Sequence, residues 1–436
     1  MHIQRFLFPL IPLLFMPLPA HGEPLALKEA VQRAVSENPA VAESRLGVAA
    51  SEEGVKSAWG RHLPRLSLDA NYTRREDPLP YIPAQGVPTP APHFSDEFAS
   101  YNIALTLPLY QGGQIVNGVE LGRVKKEIQQ QALSFTRNEV IANTVNTYNK
   151  ILELRKLREA AQTSLTALEE QYKNEQTLFK VGRVARVDLL KVEVQTANER
   201  QRLISLDAGI ATATATLRTL MGEQVTGSVP PLALGDALTV PSMPVDFTAG
   251  VETAHRQRPD YLIAGQGVKE AELNRKLALG KLLPAVSAFT GYLDQFGFAP
   301  WYKEANWYAG FNLSMPLFER PLYADLARQR LEAQRSKERL RAIDNQVSLD
   351  IRSALNSLDE SKARIAATEQ AVAQAKEAYR IEQKRYQTGA GAVVDLLLAQ
   401  SADVTAAANY DQALYDYNTA VVAYRKATGT LEEYLK

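Results

Sequence analysis

Hydrophobic and polar positions along the chain follow two different periods, and segments of the two kinds alternate. In the first kind the period is two. Leu66, Leu68, Ala70 and Tyr72 are interleaved with Ser67, Asp69, Asn71 and Thr73. Tyr101, Ile103, Leu105, Leu107 and Leu109 are interleaved with Asn102, Ala104 and Thr106. Trp307, Ala309, Phe311, Leu313, Met315 and Leu317 are interleaved with Tyr308, Gly310, Asn312 and Ser314, and Ala285 to Leu293 is a weaker fourth case. Strands of about 9–11 residues, apolar on one face and small and polar on the other, suit a membrane β-barrel with a wet lumen. A sheet half-buried on a soluble core gives the same alternation. If the strands lie in lipid, four cannot close a barrel, because open edges are not tolerated there and the smallest membrane barrels have about 8 strands. Several copies must then contribute. A Pro-rich loop, Asp77 to His93, and an aromatic loop, Phe296 to Tyr302, join the strands. Trp301, Tyr302, Trp307 and Tyr308 fall where a headgroup girdle would lie.

In the second kind the period is seven. No proline occurs from Gln114 to Lys180 or from Tyr323 to Gln387, so each segment can run as a helix of about 100 Å. Ile351, Leu358, Ile365, Val372, Tyr379 and Tyr386 recur at every seventh position, flanked by the small residues Ala354, Ser361, Thr368 and Ala375. Ile151, Leu165, Tyr172 and Phe179 keep the same register in the earlier segment, with Arg158 as an exception. A strict seven-residue repeat imposes a left-handed supercoil. After Gly389-Ala390-Gly391 the chain returns with Leu396, Tyr410, Tyr417 and Tyr424 on one seam and Ala407, Leu414 and Val421 on another; Gly182 marks the corresponding turn earlier. Each segment is thus the outgoing arm of a long helical hairpin.

The two sets of segments are copies. Asn38-Pro39 to Tyr72 aligns without a gap on Arg258-Pro259 to Tyr292, at an offset of 220 positions. Thr106-Leu107-Pro108-Leu109-Tyr110 aligns on Ser314-Met315-Pro316-Leu317-Phe318. Tyr172, Phe179, Gly182, Val187-Asp188-Leu189-Leu190 and Gly222 fall on Tyr379, Tyr386, Gly389, Val394-Asp395-Leu396-Leu397 and Gly429, at an offset of 207. Each copy is too long for a solenoid repeat. The expected organisation is an export signal over 1–22, a first structural repeat over 23–222, a linker over 223–246 and a second repeat over 247–436. The signal reading rests on Arg5, the Pro-broken apolar run Phe6 to Ala20, and Ala20-His21-Gly22 before Glu23.

Composition narrows the function. There is no cysteine, hence no disulfide framework, thiolate nucleophile, thiolate metal ligand or lipidated cysteine. Lys and Arg balance Asp and Glu at 49 each, and no basic cluster points to nucleic acid. Of five histidines, two fall in the leader and His62, His93 and His255 are far apart. No nucleophile and base pairing, phosphate loop or metal spacing supports an enzyme or a cofactor. A soluble periplasmic coiled-coil adaptor is the alternative class, since it too has helical hairpins behind a signal.

Five motifs in order resemble the TolC family of outer membrane factors: Leu27-Lys28-Glu29-Ala30-Val31 to Asn38-Pro39, Leu63-Pro64 with Leu283-Pro284, Leu107-Pro108-Leu109-Tyr110 with Gly112-Gly113, Val181-Gly182 to Asp188, and Gly389 to Asp395. The resemblance covers essentially the whole mature chain. It implies a mainly α fold with membrane β: a trimeric α/β-barrel in which four strands per chain make a twelve-stranded barrel, continuous with a long α-helical barrel. It also implies a homotrimer in the outer membrane of a Gram-negative bacterium, with a large periplasmic part. Such a passive exit duct serves a tripartite efflux pump or a type I secretion system. It contacts outer membrane lipid and is engaged by a periplasmic adaptor and an inner membrane pump.

The resemblance places a ring of acidic side chains at the periplasmic end of the duct, which maps to Asp395, with Asp188 as its first-copy counterpart. Each aspartate also suits the N-terminal dipole of a helix. Family members carry a second acid one turn later and a base just before the ring; here those positions hold Leu398 and Gly391, so an apolar constriction at Leu398 is an alternative closure. Tyr386 matches a tyrosine of the family's closed state, and it is also a seam residue. Gly182, Arg183, Arg186, Gly389 and Gly391 fall at the hairpin tips that adaptors grip, where solvated turn chemistry explains them equally well.

Overall fold

The structure, a computed structural model, describes residues 24–76, 96–227, 230–241, 243, 246–298 and 301–435. The leader and the Pro-rich loop 77–93 lie outside the described residues, as do the side chains of Trp301 and Tyr302. Two runs of elements follow one another in the same order. The first comprises α1 (Leu27–Glu37), α2 (Pro39–Gly60), β1 (Arg65–Arg74), β2 (Glu97–Gln111), α3 (Gln114–Lys180) and α4 (Arg186–Leu220). The second comprises α5 (Phe247–Gln257), α6 (Pro259–Gly280), β3 (Ala285–Phe298), β4 (Trp301–Ser314), α7 (Arg320–Gln387) and α8 (Val393–Thr428), and a 3₁₀ turn closes the chain at Leu431–Leu435.

The strands form one antiparallel sheet in the order β1-β2-β3-β4, so the two runs meet at the β2–β3 pairing. Residues opposed across an antiparallel ladder share a face. The register Leu66↔Leu105 and Leu68↔Ile103, then Ile103↔Tyr292, then Tyr292↔Trp307 collects one apolar face. The register Ser67↔Ala104 and Asp69↔Asn102, then Ala104↔Gly291, then Gly291↔Tyr308 and Ser287↔Asn312 collects the polar one. Among the described residues nothing covers the apolar face: Leu66 and Leu313 are each 69% exposed, Trp307 78% and Phe311 77%. Such a face is stable only against a non-aqueous medium.

Two strand limits differ from the sequence reading. The expected aromatic loop Phe296 to Tyr302 is strand on both sides, because the β3–β4 ladder continues to Phe298↔Trp301. The weak Ala285 to Leu293 pattern is the start of a 14-residue strand. β4 stops at Ser314, ahead of Pro316, whereas β2 passes Pro108 by a register shift between Pro108 and Tyr110. Proline has no N–H for the ladder, and a bulge is one of the few ways to admit it.

The helices pack side by side, α3 against α4, α7 against α8, and α3 against α8; nearer the sheet, α2 and α6 flank α3, and α6 also packs on α7. Ile351, Ala354, Leu358 and Ser361 of the expected seam are buried, and Ile365, Val372 and Tyr379 are partly buried among exposed neighbours. Arg158, the exception to the register, reaches across to Asp207 of α4 at 2.5 Å. Phe179 also departs, being 40% exposed at the end of α3.

The main core lies midway, where the short helices cross the hairpins. Ala30, Ala34, Val41, Val140, Tyr148, Ile151, Leu217 and Met221 form one cluster, and Ala254, Val347, Ile351, Leu358, Tyr417, Val421 and Tyr424 another. A third joins α1 and α3 to α8 through Val31, Val35, Ile141, Val145, Val422 and Leu431. The linker between the runs is tied to both hairpins. The Tyr148 hydroxyl donates to the Leu25 carbonyl at 2.8 Å and lies 2.9 Å from Asp236 Oδ2. The Tyr417 hydroxyl donates to the Pro241 carbonyl at 2.7 Å, and Asn418 Nδ2 to the Thr239 carbonyl at 2.9 Å. Burial pushes the Tyr148 phenol well up, so it remains a donor at any physiological pH.

Candidate functional site

The free ends of the two hairpins carry every residue that the sequence analysis singled out. Both tips are built by the same local rule. Helix α3 ends where Gly182 takes φ +73°, with Gly182 N–H on the Phe179 carbonyl at 3.0 Å and Arg183 N–H on the Leu178 carbonyl at 2.9 Å. Helix α7 ends where Gly389 takes φ +75°, with Gly389 N–H on Tyr386 at 3.0 Å and Ala390 N–H on Arg385 at 2.9 Å. These are Schellman caps, which satisfy the last carbonyls of a helix and favour glycine in the left-handed region. Arg183 and Arg186 are exposed beside the first tip. Gly391 packs against the end of α7, where a Cβ would lie 3.1 Å from Arg385 Cβ and Tyr386 N.

Asp188 and Asp395 both stand in the first turn of the returning helix, but their surroundings differ. Asp188 is partly buried and paired with Lys191 at 3.1 Å. Asp395 is exposed, and among the described residues no cation reaches it within ion-pair distance. Leu398, one turn further along α8, is 64% exposed, whereas Val393, Leu396 and Gln400 of the same helix are buried. Asp395 and Leu398 therefore share the side of α8 that its own chain leaves uncovered.

Tyr386 is not brought to either aspartate. Its hydroxyl donates to Glu175 Oε1 of α3, which ties the second hairpin to the first just above the tips. Gln171 Nε2 donates to the same oxygen at 2.7 Å. Glu175 is fully buried. Burial raises its carboxyl above the ordinary range, the Gln171 amide opposes that rise, and the charge of Asp188 adds to it. Glu175 is not among the candidates that the sequence alone singles out. The available signal was an acid midway between the seam positions Tyr172 and Phe179. It falls on Glu382 in the second copy, where it is paired with Arg385 at 2.7 Å instead. The link is one-sided because Phe179, the counterpart of Tyr386, has no hydroxyl.

A second cross-link lies higher, where buried Gln400 Nε2 of α8 donates to the Ser164 carbonyl of α3 at 3.3 Å. Among the described residues no cluster of His, Asp and Glu is arranged to hold a metal ion, and no helix is long and apolar enough to cross a membrane. At the tips the arrangement positions charge and ties the two hairpins together.

Known proteins share this architecture. The model of the outer membrane efflux protein family matches residues 30–223 and 251–430. Outer membrane efflux protein BepC of Brucella suis biovar 1 (strain 1330) is 24% identical over 409 residues, covering 93% of this chain and 85% of that protein. Outer membrane protein TolC of Vibrio cholerae serotype O1 is 25% identical over 396 residues, covering 88% of this chain and 86% of that protein. The fold is similar to the crystal structure of the Campylobacter jejuni CmeC outer membrane channel, with a TM-score of 0.82 and 17% identity over 93% of this chain and 85% of that one.

Proposed function

The chain belongs to the outer membrane efflux protein family and is an outer membrane exit duct rather than an enzyme; from that premise we propose that three copies close one barrel and that Asp395 rings its periplasmic mouth. Like its relatives, the chain is a component of an efflux or secretion system, with a periplasmic adaptor and a pump as partners. The tips at Gly182, Arg183, Arg186, Gly389 and Gly391 are the surface that an adaptor grips.

The observation that carries this reading is the sheet. Its apolar face is bare, and the outer edges of β1 and β4 are unpaired among the described residues. In lipid both edges must be paired. Two copies would supply about eight strands, a barrel whose interior is filled by side chains. A third copy gives twelve and leaves a bore. The same threefold axis gathers three Asp395 carboxylates and three Leu398 side chains at the narrow end. A ring of carboxylates in a confined pore focuses the field and favours cations.

Single-channel recording in a planar bilayer, with stoichiometry read by native mass spectrometry, tests the proposal. Discrete cation-selective steps from a trimer, with selectivity lost in Asp395→Ala, are expected. Selectivity unaltered by that substitution would remove Asp395 from the constriction and favour Leu398. A dimer, or no insertion, would overturn the assembly.

A further inference from the structure

The polar face of the sheet carries three described aromatic side chains, Phe98 near the start of β2 and the neighbouring pair Phe289 and Tyr308, and the posture of this pair differs from that of Trp307 and Phe311 on the apolar face. Trp307 and Phe311, also on β4, stand away from the sheet and are mostly exposed. Phe289 and Tyr308 are only partly exposed although no second layer covers them among the described residues. Each lies down across a glycine of the neighbouring strand. A Cβ on Gly310 would come within 2.9 Å of Phe289 Cζ, and one on Gly291 within 2.4 Å of Tyr308 Oη. The pairings Phe289↔Gly310 and Gly291↔Tyr308 are successive on this face of the ladder and put the two rings 6.0 Å apart between centroids. Tyr308 passes over β3 altogether, and its hydroxyl donates to Asn102 Oδ1 of β2 at 2.8 Å. Glycine in a strand commonly marks the close approach of another group, and an aromatic ring laid over it restores the packing the missing side chain forgoes.

We infer that Phe289 and Tyr308 form a flat aromatic band on the lumen wall, held flush by Gly310 and Gly291, and that this band sets the bore of the membrane part of the duct and so the size of solute admitted to that part from outside. The inference rests on the closed-barrel reading above, in which the polar face lines the lumen. Six rings then lie at nearly one level around the wall, with the small or polar Ser67, Asp69, Asn102 and Thr106 as neighbours. Any side chain at position 310 must lift the ring of Phe289 off the wall. The contact is with the far end of that side chain, so the ring can move while the ladder stays intact. Three lifted rings narrow the lumen from three sides. Position 291 is a poorer probe, because a Cβ there also meets the Ile103 carbonyl at 2.9 Å.

The chain has no cysteine, so a single reporter thiol is unambiguous. Asn312 lies on the same face, one rung beyond the band as seen from the β3–β4 turn. Asn312→Cys in intact cells is labelled from outside with a small charged methanethiosulfonate or with a bulky polyethylene-glycol maleimide. This readout does not depend on how narrow the periplasmic end is. The expected result is that Gly310→Ala slows the bulky reagent several-fold while leaving the small one unchanged, and that Gly310→Ala with Phe289→Ala restores the bulky rate. Phe289→Ala with Tyr308→Ala speeds the bulky reagent beyond wild type. An unchanged ratio in Gly310→Ala, or a slowed ratio that removal of the Phe289 ring fails to restore, overturns the band. If the small charged reagent cannot reach Asn312→Cys at all, the closed-barrel reading fails and the band with it.

Discussion

A single phenol oxygen decides how the two tips are joined. Tyr386 donates to a buried carboxyl, and a hydrogen bond to a charged or partly charged group contributes about 1.5–3 kcal/mol. Tyr386→Phe is therefore expected to loosen the tips by roughly that amount in each copy, read as faster proteolysis near Gly182 and Gly389 and as a larger resting conductance. Glu175→Gln keeps an acceptor for the hydroxyl and removes the buried charge, so it should leave the tips joined. The sign of the pH dependence follows from the raised carboxyl of Glu175. Its stabilising contribution is complete below the ordinary carboxylate range and is lost as pH rises through the raised value. Acidification from neutrality thus tightens the wild-type tips, and in Glu175→Gln this part of the conductance–pH curve is expected to be flat. Neither Glu175 nor its bond was legible in sequence, since an acid at a seam position looks like an error in the pattern until its partner is seen. Asp395 was legible as a first-turn acid after a glycine, a local signal; that it is left uncovered while Asp188 is paired with Lys191 depended on neighbours.

At the level of elements, four helices end by one device. Gly182, Gly222, Gly389 and Gly429 all take positive φ after α3, α4, α7 and α8. Their environments differ. Gly182 and Gly389 face open space, whereas a Cβ on Gly222 would lie 2.5 Å from the Glu37 carbonyl oxygen and one on Gly429 2.8 Å from Arg258 Cα. The inner pair thus lets α4 and α8 press on the kinks between α1 and α2 and between α5 and α6. Those kinks are held by Asn38 Nδ2 on the Leu220 carbonyl at 2.9 Å and by Arg258 on Asp350 at 2.6 Å. Gly389→Ala bears only the left-handed backbone cost of about 1–2 kcal/mol, while Gly429→Ala adds a backbone collision and should lower the unfolding temperature markedly more; paired thermal melts check this ordering. The two long outgoing helices were readable, because a proline-free run of more than sixty positions that carries a seven-residue period has no competing interpretation. The strands were read short where aromatic residues crowd the β3–β4 turn, since Phe296 and Tyr302 suit a loop at a membrane interface as well as a ladder.

For the molecule as a whole, the medium is part of the fold. Phe311 and Asn312 are adjacent in sequence and on opposite faces of β4. A positive charge on the lipid face near the midplane of a barrel costs about 2–4 kcal/mol, while the lumen tolerates one. Phe311→Arg should therefore impair insertion, and Asn312→Arg should retain it; the share of each variant that sediments with outer membranes and resists extraction by urea distinguishes them. The alternation that places these residues was plain in the sequence, but which medium each face meets was not. It followed from counting strands against the edges that must be paired.

The two hairpins also match in length. Helices α3 and α7 have 67 and 68 residues and their returning partners α4 and α8 have 35 and 36. From Gly182 to Gly222 and from Gly389 to Gly429 the count is forty positions in both cases. Each returning arm reaches about 50 Å at 1.5 Å per residue, so one heptad is worth roughly 10 Å of depth. The hairpins are in effect a ruler graduated in heptads. A heptad lost from both arms of both hairpins shortens the reach and keeps the tips level, whereas one lost from a single hairpin leaves Glu175 and Tyr386 at different depths. The reach of the helical part is thereby stored as a residue count that its two halves can change only together.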